Sequence, residues 1–482
     1  MLFPTAIFAL FFAVVFTLHW STVRCVALRK AIILASSLVF YGYWSWKFAL
    51  MLLASAVINH VFALRIHASD SKLARRHWVV VGVTANLFVL GVFKYAGFLF
   101  TKCLVPLAVP ICEHFGTTEQ LIDLQLRTLP FIERIILPVG ISFYTFQALS
   151  YVVDVYRGKI APARRLIDFA NYLAFFPQLV AGPIVRAADL LPQMESLPGY
   201  EVKIDTGRAG TFILMGLFKK VVIANWLAGN LADPVFAMPE YYASVDTLLG
   251  VYGYAIQIYC DFSAYSDIAV GTALLLGFTF PFNFNAPYFA SNLQDFWRRW
   301  HISLSTWLRD YLYIPLGGSR CSKARMRFNL MLTMVLGGLW HGAAWKFILW
   351  GTLHGTYLSV ERVFLDRMGP SSRVMRGLGR IWVFHVVCFS WILFRSTDMT
   401  YVKEMLGGLF RGGEPVLLTP QAVVVLGMGF CMQFLDAARP ARLQNRIGAL
   451  PGWLQGLTAA VILVIILGLG PLGVAPFIYF QF

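Results

Sequence analysis

The stretch 292–345, NLQDFWRRWHISLSTWLRDYLYIPLGGSRCSKARMRFNLMLTMVLGGLWHGAAW, decides how this chain is read. It holds two histidines, His301 and His341, in a sequence that is otherwise largely hydrocarbon. His301 closes an aromatic and basic run, Phe296-Trp297-Arg298-Arg299-Trp300-His301. His341 follows a plain apolar run, Met331 to Trp340, and is followed at once by Gly342. An ionisable side chain inside a lipid-soluble segment is costly, so it faces a protein interior or a water-filled cavity. His341 is the residue to explain first.

The rest of the composition agrees with that setting. Of 482 residues, 58% are hydrophobic and 13% charged, and the mean hydropathy is +0.67. Soluble domains carry roughly 25% charged residues, so the reading is an all-α integral membrane protein. Apolar runs of about 20 residues, enough for a helical crossing, recur along the chain. The formal charge of +16 follows from Lys and Arg in short loops, as the positive-inside bias expects. No basic soluble module accompanies it, and nucleic acid is excluded as a partner. Seven cysteines are scattered without a C-x-x-C pair, so neither a zinc site nor a disulfide framework is expected.

Taken in order, Leu2 to Trp20 reads as a first crossing with its N-terminus outside, because Arg24, Arg29 and Lys30 follow it. Ala31 to Leu64 reads as two crossings with a turn near Tyr43-Trp44-Ser45-Trp46. Trp78 to Phe100 crosses outward, Thr101 to Thr128 is an external loop, and Phe131 to Tyr156 returns. Asn171 to Val185 is apolar but broken by Pro177 and Gly182-Pro183. Non-helical backbone at membrane depth needs protein or a water cavity around it, so this piece is expected to be re-entrant.

Gly207 to Leu231 carries Lys219-Lys220 in its middle. Two cations at the bilayer centre would cost about 5–7 kcal/mol on an insertion scale, so this helix is expected to start in the interface. Leu248 to Phe278 carries Gln257, Asp261, Ser263, Tyr265, Ser266 and Asp267, which suggests a cavity wall. Phe296–Leu316, Phe328–Ala344, Phe347–Val360, Ile381–Phe394, Ala422–Leu435 and Leu454–Phe477 complete the pattern. The total is ten to twelve crossings, about 11, plus re-entrant pieces, in one domain over 1–482.

A histidine on an apolar helix has a plain structural use, bonding one helix to another. Its chemical use is as a buried general base. A neutral imidazole can take a proton from a hydroxyl as that oxygen attacks an acyl carbonyl, worth about 10²- to 10⁴-fold in rate. Other nucleophile and nucleotide chemistries have no visible seat: there is no G-x-S-x-G and no P-loop. His354 is read as helix packing.

The motifs PVGISFYTFQALSYVVDVYRG (138–158), FFPQLVAGPIVR (175–186), GLFKKVVIAN (216–225), YCDFSAYSDIAVG (259–271), FNFNAPYFASNLQDFWRRWHISLSTWLRDYLYIPLGGSR (282–320), LGGLWHGAAWKFILWGTLHG (336–355) and PFIYFQF (476–482) run in this order. Together they resemble the membrane-bound O-acyltransferase family, in its bacterial, alginate O-acetyltransferase-like branch. The motif-rich core is 138–355.

The resemblance implies many helices around a central tunnel and transfer of an acyl group from a thioester to a hydroxyl. His341 would be the catalytic histidine and His301 would occupy the second motif position. It also implies acetyl-CoA as donor substrate with no bound cofactor, and an extracytoplasmic polysaccharide such as alginate or cellulose. A periplasmic SGNH-type partner and a bacterial inner-membrane location follow from the same likeness. Asp261, Tyr265, Asp267, Trp300 and Trp340 are the expected tunnel residues. Lys219, Lys220, Arg298, Arg299, Arg309 and Arg320 are the cytoplasmic cations that could meet the anionic donor, although ordinary positive-inside charge accounts for each singly. D-alanyl transfer from a carrier protein, or a transporter without chemistry, are the alternatives.

Overall fold

The computed structural model describes residues 1–133, 135–180, 182–197, 199, 204–365, 372–437 and 447–470. Among these the chain is helical and no strand forms. The motif at 476–482 lies outside the described residues. Hydrocarbon offers no partner to backbone N–H and C=O groups, and helices satisfy theirs internally.

Helices α1 (Ala6–Ser21), α2 (Val26–Gly42) and α3 (Trp46–Ala68) come first, and the turn between the last two lies where the Tyr and Trp residues of 43–46 point to it. α4 (Lys72–Phe98) runs on through a π turn, Leu99–Leu104, into α5 (Val105–Phe115), and α6 (Thr118–Glu133) follows. The external loop expected over Thr101 to Thr128 is therefore helical. Leu104, Leu107, Ile111 and Phe115 recur every three or four residues and are all exposed, so a helix gathers them into one apolar stripe.

α7 (Ile141–Tyr156) is buried along most of its length and packs on α3 and α4. It starts at Gly140, whose φ of +74° and approach to Leu179 O (2.6 Å from a β-carbon there) leave no room for a side chain. α8 (Leu166–Ala174) and α9 (Phe176–Leu179) follow, with α10 (Ala187–Glu195) after them. Every residue of α9 is buried, so protein surrounds the break at Pro177 as a re-entrant segment needs.

α11 (Thr206–Leu217) continues through a π turn (Phe218–Ala224), α12 (Asn225–Leu227), a second π turn (Ala228–Ala232) and α13 (Asp233–Ala237). It packs on α14 (Ser244–Leu275), the longest single helix. Lys219 and Lys220 do not reach the surface of the protein. Both are buried at the first π turn and pair with Asp267 at 2.9 Å and Asp261 at 2.7 Å on α14. Neutralising the charges inside the protein replaces the expected late entry into the bilayer.

The remaining elements are α15 (Leu293–Arg299), α16 (Ile302–Leu308) with a π turn at Arg309–Tyr313, α17 (Lys323–His341), α18 (Trp345–Leu365), α19 (Arg373–Arg395), α20 (Met399–Gly408), α21 (Pro420–Ala437) and α22 (Gly452–Leu469). Five described stretches are long and apolar enough to cross a membrane: Trp46–Ala68, Lys72–Phe115, Thr206–Ala237, Arg373–Arg395 and Gly452–Leu469. Ala6–Ser21 and Pro420–Leu435 are shorter apolar helices.

α17 and α18 form the closest helical hairpin. A β-carbon on Gly338 would strike the Phe347 carbonyl, and one on Gly351 the Met334 carbonyl. Small residues allow such close backbone approach where lipid supplies no hydrophobic drive between helices. Gly338→Ala is therefore expected to lose about 1–3 kcal/mol by overpacking. Gly427→Ala, whose added methyl meets open space, should lose nothing. Thermal unfolding of both variants in one detergent checks this, and equal midpoints would refute the packing argument.

Candidate active site

His341 is the last residue of α17, and the chain leaves the helix at an extended Gly342. A β-carbon on Gly342 would fall inside the Phe347 ring, so the exit is fixed by packing. The imidazole is enclosed by Trp340 (ring centroids 5.0 Å), Trp350 of α18 (5.3 Å) and Phe394 of α19 (5.1 Å).

Helix ends leave their last carbonyls without intrahelical partners. Here two neighbours on α4 take them up. Tyr95 OH donates to Leu339 O at 2.8 Å, and Lys94 Nζ donates to Trp340 O. Lys94 Nζ also donates to Ser142 Oγ on α7 at 3.1 Å.

A cavity of about 750 Å³ reaches this point. Tyr41, Tyr43, Trp44, Lys94, Ser142, Phe143, Trp340 and His341 are among its walls. The volume lies within the range of about 300–1,000 Å³ common for ligand sites. Tyr43 and Trp44 form the turn after α2, the segment that the charge pattern assigns to the outer membrane interface.

His301 sits at the break between α15 and α16 with φ +43°, one of two non-glycine residues at positive φ among the described residues. Such a conformation costs on the order of 1–3 kcal/mol and persists only where the surroundings over-determine it. Here Ile302 N donates to Asn283 O at 2.9 Å, and Trp300 N to Phe296 O at 2.8 Å.

The side chain is equally constrained. Ser303 N donates to Asn283 Oδ1 at 3.2 Å, and Asn283 Nδ2 donates to Ser266 Oγ at 3.1 Å. A backbone N–H can only donate, so the amide orientation is fixed and Oδ1 must accept. The His301 Nδ1 contact with that oxygen, 3.2 Å, therefore makes Nδ1 the donor. Nε2 keeps its lone pair, and it is buried with no partner among the described residues.

The two histidines are brought together by one residue. Trp340 lies 6.0 Å from the His301 ring and is the chain neighbour of His341. Phe143 and Phe146 of α7 close on the same indole at 5.2 and 5.6 Å.

The other expected residues are placed differently. Asp261 and Asp267 are engaged by Lys220 and Lys219. Tyr265 is buried against Phe3 at 5.6 Å. None of these three is among the walls of the cavity of about 750 Å³, and all three side chains are buried. Trp300 is also away from it, in an aromatic floor with Phe284 (5.1 Å) and Trp391 (5.1 Å).

The cation set divides. Lys219 and Lys220 are internal, and a buried ammonium already paired with a carboxylate is not a docking charge. Arg298, Arg309 and Arg320 are exposed, and Arg299 is partly so, bonded to Asp295 at 2.9 Å. Arg309 bonds Asp310 at 2.6 Å, and Arg186 reaches the same carboxylate at 2.6 Å. His354 is fully buried between Trp297 (5.3 Å) and Trp350 (4.6 Å).

Three participants escape the sequence reading. Asn283 looks like a loop residue, and nothing in its neighbourhood announces the bond to His301. Ser142 is an ordinary helix position. Lys94 does carry a signal, a lone cation within the apolar run Val89–Phe98.

Comparison with known proteins gives the family. The model of the membrane-bound O-acyltransferase family matches residues 164–402. The chain is 42% identical over 388 residues to the probable alginate O-acetylase AlgI of Azotobacter vinelandii, covering 80% of this chain and 73% of that protein. It is 37% identical over 485 residues to the probable alginate O-acetylase AlgI of Pseudomonas putida, covering 94% of each. It is also 35% identical over 406 residues to the peptidoglycan O-acetyltransferase of Helicobacter pylori, covering 79% of this chain and 73% of that one. The chain belongs to the membrane-bound O-acyltransferase family and is a multi-pass membrane acyltransferase.

Asn283→Ala removes the acceptor that orients His301 and leaves the Ser303 N–H and hydroxyl without that partner. A stability loss of about 1–3 kcal/mol is expected, with a larger proportional loss of acyl transfer. Unfolding and turnover measured on the same preparation test this; unchanged turnover would remove Asn283 from the site.

Proposed function

We propose that this protein takes acetyl groups from a cytosolic thioester, acetyl-CoA, and passes them toward hydroxyls of an extracytoplasmic polysaccharide such as alginate or acetylated cellulose. The observation that carries the reading is the cavity of about 750 Å³ that ends on the enclosed His341. The names of the relatives, an alginate O-acetylase and a peptidoglycan O-acetyltransferase, support the choice of acyl group. The whole chain, 1–482, works as one membrane domain of about 11 crossings in a bacterial inner membrane, with its chemistry between 138 and 355. A periplasmic SGNH-type protein completes the transfer.

His341 acts as general base or transient acyl acceptor, and His301 assists through Nε2. Trp340, Trp350 and Phe394 keep water from the thioester, which would otherwise be hydrolysed in competition with transfer. On the cytoplasmic face, Arg298, Arg299 and Arg309 are the cations left to receive the anionic end of the donor.

Labelled acetyl-CoA offered to the purified protein in nanodiscs, with alginate oligomers as acceptor, tests this directly. Transfer or release of label by the parent should vanish in His341→Ala and fall about 10²-fold or more in His301→Ala. Full activity in His341→Ala would remove the histidine mechanism. Turnover with a carrier-protein thioester but not with acetyl-CoA would replace the donor and leave the histidine assignment standing.

A further inference from the structure

Among the described residues, the buried lysines share one arrangement. Lys30 pairs with Asp168, Lys219 with Asp267 and Lys220 with Asp261. Lys94, only partly buried, is placed differently. It lies in the stretch Lys72–Phe115, long and apolar enough to cross a membrane, and it lines the cavity that ends on His341. Its bonds go to neutral oxygens, Trp340 O and Ser142 Oγ, and no Asp or Glu is among the described residues of the cavity wall. Among the described residues no carboxylate pairs with it. A cation kept in the membrane without a counter-charge marks a place where negative charge arrives from elsewhere.

The donor inventory agrees. An ammonium carries three N–H groups. Trp340 O and Ser142 Oγ take two of them. One donor remains for the cavity, next to the residue that precedes His341.

We propose that Lys94 is a catalytic residue of acyl transfer: its Nζ donates to the acyl carbonyl oxygen as that oxygen becomes negative. The inference rests on the acyl-transfer reading given above. The acceptor hydroxyl oxygen forms a bond to the thioester carbonyl carbon while its proton passes to His341. The carbonyl π electrons move onto the oxygen, where Lys94 meets them. Their return breaks the carbon–sulfur bond, and the departing thiolate takes the proton from the imidazolium. Acceptor hydroxyl and thioester thus become ester and thiol, with no other reactant.

The competing use of Lys94 is to cap the end of α17, as Tyr95 does one carbonyl earlier without charge. Three variants separate the two: Lys94→Met, Lys94→Gln (which keeps a neutral N–H for Trp340 O) and Tyr95→Phe. Each is measured in nanodiscs for thiol release from acetyl-CoA with alginate oligomers, and for thermal unfolding.

Loss of a preorganised oxyanion donor costs about 10²–10³ in kcat. Lys94→Met and Lys94→Gln should both show that loss, with KM for acetyl-CoA changed by less than about threefold, as expected when only the transition state is touched. Tyr95→Phe should keep kcat within a few-fold while melting lower than the parent. If Lys94→Met does not fold, Lys94→Gln carries the same criterion. Parent-like kcat in the Lys94 variants, or a loss no greater than in Tyr95→Phe, overturns the proposal. Where that happens with His341→Ala still inactive, only the role of Lys94 falls. An active His341→Ala sinks the acyl-transfer reading itself.

Discussion

Two ion pairs hidden from water, Lys219–Asp267 and Lys220–Asp261, hold α14 to the helical stretch Thr206–Ala237. Taking four charges out of water costs several kcal/mol per ion, and only close pairing recovers it. The spacing shows how the pairing is reached. Asp261 and Asp267 lie nearly two turns apart on α14, about 9 Å at 1.5 Å per residue. The lysines are adjacent in sequence and occupy a π turn, where the helix is locally widened. Lys219 takes the later aspartate and Lys220 the earlier one, as antiparallel helices require. The glycines agree: β-carbons on Gly216 and Gly271 would each lie 2.8 Å from a carbonyl of the facing helix. Close backbone approach and charge pairing therefore specify the same register.

That register reaches the site through α14. Asp261 and Asp267 bracket Ser266, whose hydroxyl receives Asn283 Nδ2. Asn283 fixes both the backbone and the imidazole of His301. The polar residues of α14 thus act on chemistry at one remove. Their side chains meet lysines and an asparagine, and the asparagine meets the histidine. A helix displaced along its axis by one turn would move Ser266 about 5.4 Å and break the bond to Asn283.

The sequence makes the class of protein plain because hydropathy is a local property, and His341 is plain because an ionisable group on an apolar helix is conspicuous wherever it occurs. The motif order identifies the family for the same reason: each motif is a short run of adjacent residues. What escapes is long-range. Whether Asp261 lines a water route or neutralises Lys220 depends on a partner 41 positions away, and composition is the same in both cases. The Thr101–Thr128 segment is helical where a loop is expected, and Leu104, Leu107, Ile111 and Phe115 carry the helical period. His301 at positive φ has no sequence signature, since only the surrounding hydrogen bonds hold it there.

Trp340 is where these constraints converge. Its carbonyl receives Lys94 from α4, its ring faces Phe143, Phe146 and His301, and its chain neighbour is His341. Substitution of the indole would leave the carbonyl contact in place but remove the wall between the two imidazoles. Substitution of Lys94 would do the reverse. The polar groups of the site are few and the aromatic ones many, so the local dielectric is low and each remaining hydrogen bond weighs more than it would in water. A site of this kind gains rate from fixed dipoles because they need no reorganisation when charge appears. The same dryness makes orientation errors expensive, which is why the hydrogen bonds around His301 and the end of α17 are so fully specified.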